Sequence, residues 1–114
     1  MNEQQHGKNL QNLDALAAKG FTAGDPLSID VFFTSESEDA ANAIAATLEK
    51  TDWNPRISTF SRGIFTKTTM FAVEGGKRFD SVTPELVDRV TFGFLTLAAE
   101  HDAEFDGWGA ALDS

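Results

Sequence analysis

The chain has 114 residues, 41% of them apolar, no cysteine, and 18 acidic against nine basic side chains for a net charge of −9. That length and apolar share fit one folded domain over residues 1–114 and exclude a mostly disordered chain. The missing cysteines exclude disulfides, thiol catalysis and Cys-based metal sites, and fit a reducing, cytoplasmic setting. The charge disfavours a phosphate backbone as partner and favours a basic protein surface.

Residues 1–10 are polar and lack the apolar core of a signal peptide. No apolar run approaches the roughly 18 residues needed to cross a bilayer, so no membrane association is expected. Leu10, Leu13, Leu16 and Ala17 recur at helical spacing over residues 3–19, and Gly20 supplies a stop. A turn over 22–26 leads into a strand over 27–34. Ile29, Val31 and Phe33 are expected on one face of it, and Leu27 with Phe32 on the other. Ser37 or Ser35 can cap a helix over about 38–51, with Ala41, Ile44, Ala45 and Leu48 as its stripe and Asn54-Pro55 as its breaker.

Residues 56–60 and 65–74 are β-rich runs around Ser61-Arg62-Gly63-Ile64, a hairpin signal; 74–78 reads as an exposed loop. Thr83, Pro84 and Glu85 open a helix that runs to about residue 101, with Leu86, Val90, Phe94, Leu97 and Ala98 as its stripe and Val87 and Leu95 widening it. Gly93 inside it costs about 1 kcal/mol relative to Ala, which predicts a close approach to a neighbouring element. Residues 103–112 form the last strand.

The order helix, then strand-helix-strand-strand-helix-strand, predicts an α+β fold of the ferredoxin-like βαββαβ type. An antiparallel sheet carries two helices on one face. An N-terminal helix over 3–19 precedes a core over 27–112. Both sheet faces carry apolar groups, so the second face needs cover. The N-terminal helix is expected to supply part of it, with a second copy or a partner protein as the other candidates.

Few residues suggest chemistry. His101 lies among Glu100, Asp102, Glu104 and Asp106, a combination that can hold a metal or act as a general base. A helix C-terminus favours a cation there, which explains His101 without a ligand. His6 reads as solvated. Arg56, Arg62, Lys67, Lys77 and Arg78, with Phe60, Phe65 and Phe71, mimic a single-strand RNA surface. The Gly-Phe-rich third-strand motif of such domains is absent, and a solvated strand face is the simpler account. Ser58, Thr59, Thr66, Thr68 and Thr69 have no base at triad-like spacing, and Gly75-Gly76-Lys77 lacks the spacing of a phosphate loop. A non-enzyme follows, with no catalytic residue, cofactor or metal assigned and no direct nucleic-acid partner. The alternatives are a single-strand RNA-binding domain and a small metal-binding protein or enzyme centred on His101.

The run Glu104-Phe105-Asp106-Gly107-Trp108-Gly109 stands apart. Glycines on both sides of Trp108 let the backbone bend, and the indole brings a large apolar area with one N–H that needs a partner. Trp108 is expected either in the core or in a surface pocket, with Asp106 capping or pairing near the chain end. This run resembles the signature of the regulator of ribonuclease activity B family, also called ribonuclease E inhibitor B. That family closes its last helix with an aromatic-Asp-Gly-Trp sequence. The lead-in Leu97-Ala98-Ala99-Glu100-His101-Asp102-Ala103 fits. So do, in order, the Leu10/Leu13 helix followed by Gly20, Asp25-Pro26, the strand ending Phe32-Phe33, the Ala-rich helix from Asp39, and the Thr68-Thr69-Met70 strand.

The resemblance implies a ferredoxin-like domain that binds protein. Characterised members bind a ribonuclease E-type endonuclease and restrain RNA cleavage without catalysis of their own. On that basis the signature residues are Phe105, Asp106, Gly107 and Trp108, and Glu100, Asp102 and Glu104 are candidate contacts for a basic partner. Members commonly carry a long acidic C-terminal tail. This chain ends at Leu112-Asp113-Ser114, so the attraction such a tail would add is expected to be missing, with the net charge carried on the body. The chain is expected to work as a monomer or homodimer.

Overall fold

A computed structural model describes residues 3–112. Met1, Asn2, Asp113 and Ser114, and with them the chain end read above, lie outside the described residues. The elements run α1 (Glu3–Ala17), β1 (Leu27–Ser35), α2 (Glu38–Lys50), β2 (Arg56–Arg62), β3 (Thr68–Phe79), α3 (Pro84–Glu100) and β4 (Glu104–Leu112). The strands form one antiparallel sheet in the order β2-β3-β1-β4. The protein is thus α+β, with three helices and a four-stranded antiparallel sheet.

Local chemistry sets the helix starts. The Ser37 hydroxyl accepts from the Ala40 N–H at 3.1 Å, with Glu38 and Asp39 in the first turn of α2. The Thr83 hydroxyl accepts from the Leu86 N–H at 3.2 Å, and Pro84 follows where its missing N–H costs nothing.

The core lies between one face of the sheet and the helices. Leu27, Ile29, Val31 and Phe33 of the central strand β1 are at most 2% exposed. Ala41, Ile44 and Leu48 of α2 and Val87 and Ala98 of α3 close over them. Each large side chain so buried contributes about 1.5–3 kcal/mol. Leu27 therefore shares a face with Ile29, Val31 and Phe33, against the expectation that it joins Phe32. The strand alternates from Leu27 to Phe33, with the odd positions inward.

Residues 74–78 are not a loop: β3 continues through them to Phe79, opposite Leu27. The glycines there serve a close backbone approach. The Gly76 N–H donates to the Trp53 carbonyl, and a Cβ on Gly75 would sit 3.0 Å from that same oxygen and 3.2 Å from Leu48 Cδ1. At the hairpin, β2 extends to Arg62 and β3 starts at Thr68. Gly63 (φ +112°) makes the turn, since a Cβ there would collide with the Thr66 carbonyl.

The N-terminal helix does not cover the second sheet face. Leu13 and Leu16 belong to the same core cluster as Val31 and Trp108, and α1 packs beside α3 on the helical side. Its buried line is Gln5, Asn9, Leu13 and Leu16, while Leu10 is 41% exposed and Ala17 is exposed. Two amides stand where a sequence reading looks for leucines, because they have hydrogen-bond partners inside. No helix among the described residues lies on the opposite sheet face; Phe32 and Phe60 are exposed on it at 36% and 40%, while Met70 and Thr34 on the same face are buried among their neighbours. At the sheet edge, all seven residues of β2 are exposed, with an arginine at each end. No helix among the described residues is long and apolar enough to cross a membrane.

Candidate functional site

Phe105 and Trp108 are three residues apart, so in a regular strand they would face opposite sides of the sheet. They do not. Val31 pairs with Trp108 and Phe33 with Phe105, so Phe32 alone on β1 opposes both Asp106 and Gly107 on β4. That is a β-bulge, and Gly107 (φ +107°) takes the left-handed backbone it requires. The bulge turns both aromatic rings inward. Phe105 packs on Phe33 and Phe94 at ring distances of 5.3 and 5.9 Å, and Trp108 is 7% exposed in the core. Asp106, the bulged acid, faces solvent.

The indole N–H meets α1. Trp108 Nε1 donates to Asn9 Oδ1 at 2.8 Å, and Gln5 Nε2 donates to the same oxygen at 2.8 Å. Asn9 Nδ2 donates to Thr91 Oγ1 at 2.8 Å and to Asp88 Oδ1 at 2.9 Å on α3. The fully buried Asn9 amide thus uses both lone pairs and both N–H bonds. Asn12 Nδ2 adds a bond to the Trp108 carbonyl at 3.3 Å. His6, expected to be solvated, instead pairs with Asp88 through Nδ1 at 2.5 Å. The cluster ties α1, α3 and β4 into one corner. Trp108 packs in the core rather than lining a surface pocket.

The acidic candidates divide into two groups. Asp102 (φ +55°) turns the chain after α3, and its carbonyl accepts from Ser35 Oγ at 3.0 Å. Asp102 and Glu104 line one shallow depression of about 440 Å³ together with Glu36, Met70 and Arg62. Glu100, the last residue of α3, lines a different depression on the helical side. His101 ends α3 with its N–H bonded to the Ala98 carbonyl. Among the described residues no group of three or more His, Cys, Asp or Glu side chains converges as a metal site requires.

The basic residues of the hairpin region are also divided. Arg56 pairs with Glu74 at 3.2 Å and Arg78 pairs with Asp80, while the Arg62 guanidinium lies 5.9 Å from the centre of the Phe60 ring. Lys77 points to the helical side, its Nζ 5.4 Å from the Phe79 ring centre and 5.9 Å from that of Trp53. Arg56, Arg62 and Arg78 thus share the outer sheet face, but two of the three are paired with carboxylates, and Lys77 lies on the other side of the sheet.

Sequence reading missed Asn9 and Trp53. The signal for Asn9 was present: Gln5, Asn9, Leu13 and Leu16 follow a spacing of four, four and three, which puts the amides on the buried line. Trp53 lies between Asp52 (φ +65°) and Asn54 (φ +49°), two left-handed residues that aim its ring under α3. Gly93, expected to permit a close helix approach, has nothing within 4 Å of a Cβ built on it. It faces open space.

Fold and site define a small α+β module in which the Asp-Gly-Trp closure is a structural lock and carboxylates are displayed at one end. The profile of the family described as regulator of ribonuclease activity B (RraB) matches residues 6–110, nearly the whole chain; the chain belongs to that family. No curated protein matches it.

Proposed function

We propose that this chain is a non-catalytic regulator that docks on a ribonuclease E-type endoribonuclease and restrains its cleavage of RNA. The observation that carries this reading is the family match over residues 6–110. The fold is read as ferredoxin-like, which the order β2-β3-β1-β4 supports. Asp102 and Glu104, exposed beside Glu36, are the contacts for a basic segment of the nuclease, with Glu100 at the margin. Phe105, Gly107 and Trp108 hold that end of the molecule in shape, and Asp106 sits exposed on the bulge between them. Exposed carboxylates of this kind speed association and make it sensitive to salt.

The test is cleavage of a model RNA by the purified nuclease with and without the chain. Wild type is expected to slow cleavage. Asp102→Lys with Glu104→Lys is expected to weaken the effect at least tenfold at low salt while the melting temperature holds. Full restraint by the doubly reversed variant sinks the acidic contact, and no effect of wild type sinks the reading itself.

A further inference from the structure

α2 and α3 stand apart over the sheet, and the gap is a trough of about 490 Å³, wide open to solvent. Its floor is aromatic. Trp53 meets Phe94 edge-on at 5.1 Å and Phe79 at 5.6 Å, and Val90 and Leu97 of α3 flank them. Two observations indicate that the trough is made to be filled. Gly93 lies on its wall in the middle of α3, where a Cβ would touch nothing, so no packing demand within the chain accounts for a residue that weakens the helix. Any larger side chain there would project into the trough. The charges at its rim invert those of the molecule: Lys77 and Arg89 line it against one carboxylate, Glu100, in a chain with twice as many acids as bases.

Given the protein-binding reading above, we propose that this trough docks a short segment of a partner protein that carries a bulky apolar side chain beside a carboxylate. The apolar group would lie on the partly exposed rings of Phe94 and Phe79, above the buried Trp53, and the carboxylate would pair with Arg89 and the Lys77 ammonium. A small molecule is the weaker fit, because small ligands are held in sites that bury most of their surface and this trough is open on one side. A second copy of this chain is also a poor fit. Its most exposed apolar residues, Ile64 and Phe65, stand at a hairpin tip flanked by Arg62 and Lys67, which the rim cations would repel. The trough and the Asp102–Glu104 rim therefore ask for segments of opposite charge, one on each side of the end of α3.

The experiment pans a displayed library of random peptides on the full-length chain, then titrates the enriched peptides as synthetic probes. The expected peptides pair Phe, Trp or Leu with Asp or Glu. They shift the Trp53 indole signal in ¹H–¹⁵N spectra, and they lose at least tenfold affinity on Gly93→Leu and on Arg89→Glu while Gly93→Ala keeps binding. Thermal melts check that both blocking variants stay folded. If no such peptide is enriched, or binding survives Gly93→Leu, the trough proposal is overturned. The RNA cleavage assay run on the same variants separates the two readings. Restraint by wild type that Gly93→Leu leaves intact overturns the trough as a nuclease contact and keeps the regulator. Peptide binding without any restraint by wild type does the reverse.

Discussion

On one side α3 meets α1 through a hydrogen-bonded corner in which a single asparagine links two helices and a strand; on the other it stands away from α2 over a floor of aromatic rings. The two seams belong to the same helical layer and lie on the same sheet, and each contains one of the two tryptophans. Trp108 has its N–H committed to Asn9 and is part of a closed, fully satisfied cluster. Trp53 is itself buried, at 4% exposed, and supports from beneath the Phe94 and Phe79 rings that floor an open trough. The first arrangement is intolerant, because Gln5, Asn9 and Thr91 are buried there and depend on one another for hydrogen bonds. The second leaves room. Structure-bearing and surface-bearing functions are thus separated across the width of one helix.

Substitutions can break or sharpen this contrast. The largest effect is expected at Trp108→Ala, which empties a core position and orphans Asn9: about 4 kcal/mol lost in urea unfolding. The milder Trp108→Phe should still cost more than Trp53→Phe, since only Trp108 is shown donating its N–H inside the corner; equal losses would mean that the hydrogen bond contributes little. Asn9→Leu is expected to cost about 3 kcal/mol, because the indole N–H, Thr91 and Asp88 lose their shared partner. Hydrogen exchange should then show α1 opening ahead of the rest. Gly107→Ala, forced to keep φ +107°, is expected to cost about 1–2 kcal/mol and to show as a lower urea midpoint. The smallest effect has the opposite sign. Gly93→Ala is expected to raise stability by up to about 1 kcal/mol, read as a higher melting temperature. A loss there would mean that the trough is tighter than its geometry shows.

Much of the architecture is legible in the sequence. Ser37 and Thr83 announce their helices through capping chemistry that acts within three residues, and such local signals survive translation into structure. The Asp-Gly-Trp run was legible as a signature but not as a bulge. Its meaning depends on which β1 residues lie opposite, and register is set by tertiary pairing. Gly75 and Gly76 mislead for a related reason. Glycine pairs mark loops when only neighbours in sequence are considered, whereas here they admit the Trp53 carbonyl from 22 or more residues away. Asn9 was hidden by its polarity. A buried amide is stable only when four partners converge, and those partners come from α1 itself, α3 and β4. The acidic candidates were legible as a cluster in sequence, but the left-handed turn at Asp102 sends Glu100 to one side and Asp102 with Glu104 to the other.

The unprotected outer strand β2 bears on how the protein behaves at high concentration. A bare edge invites pairing with a like edge, the first step toward stacked, insoluble aggregates. Two β2 strands laid antiparallel about Thr59 would bring Arg56 of each chain against Arg62 of the other, so the symmetric register meets like charge at both ends. The same pair of cations leaves the edge open to a strand of negative character, and so it filters its company by sign.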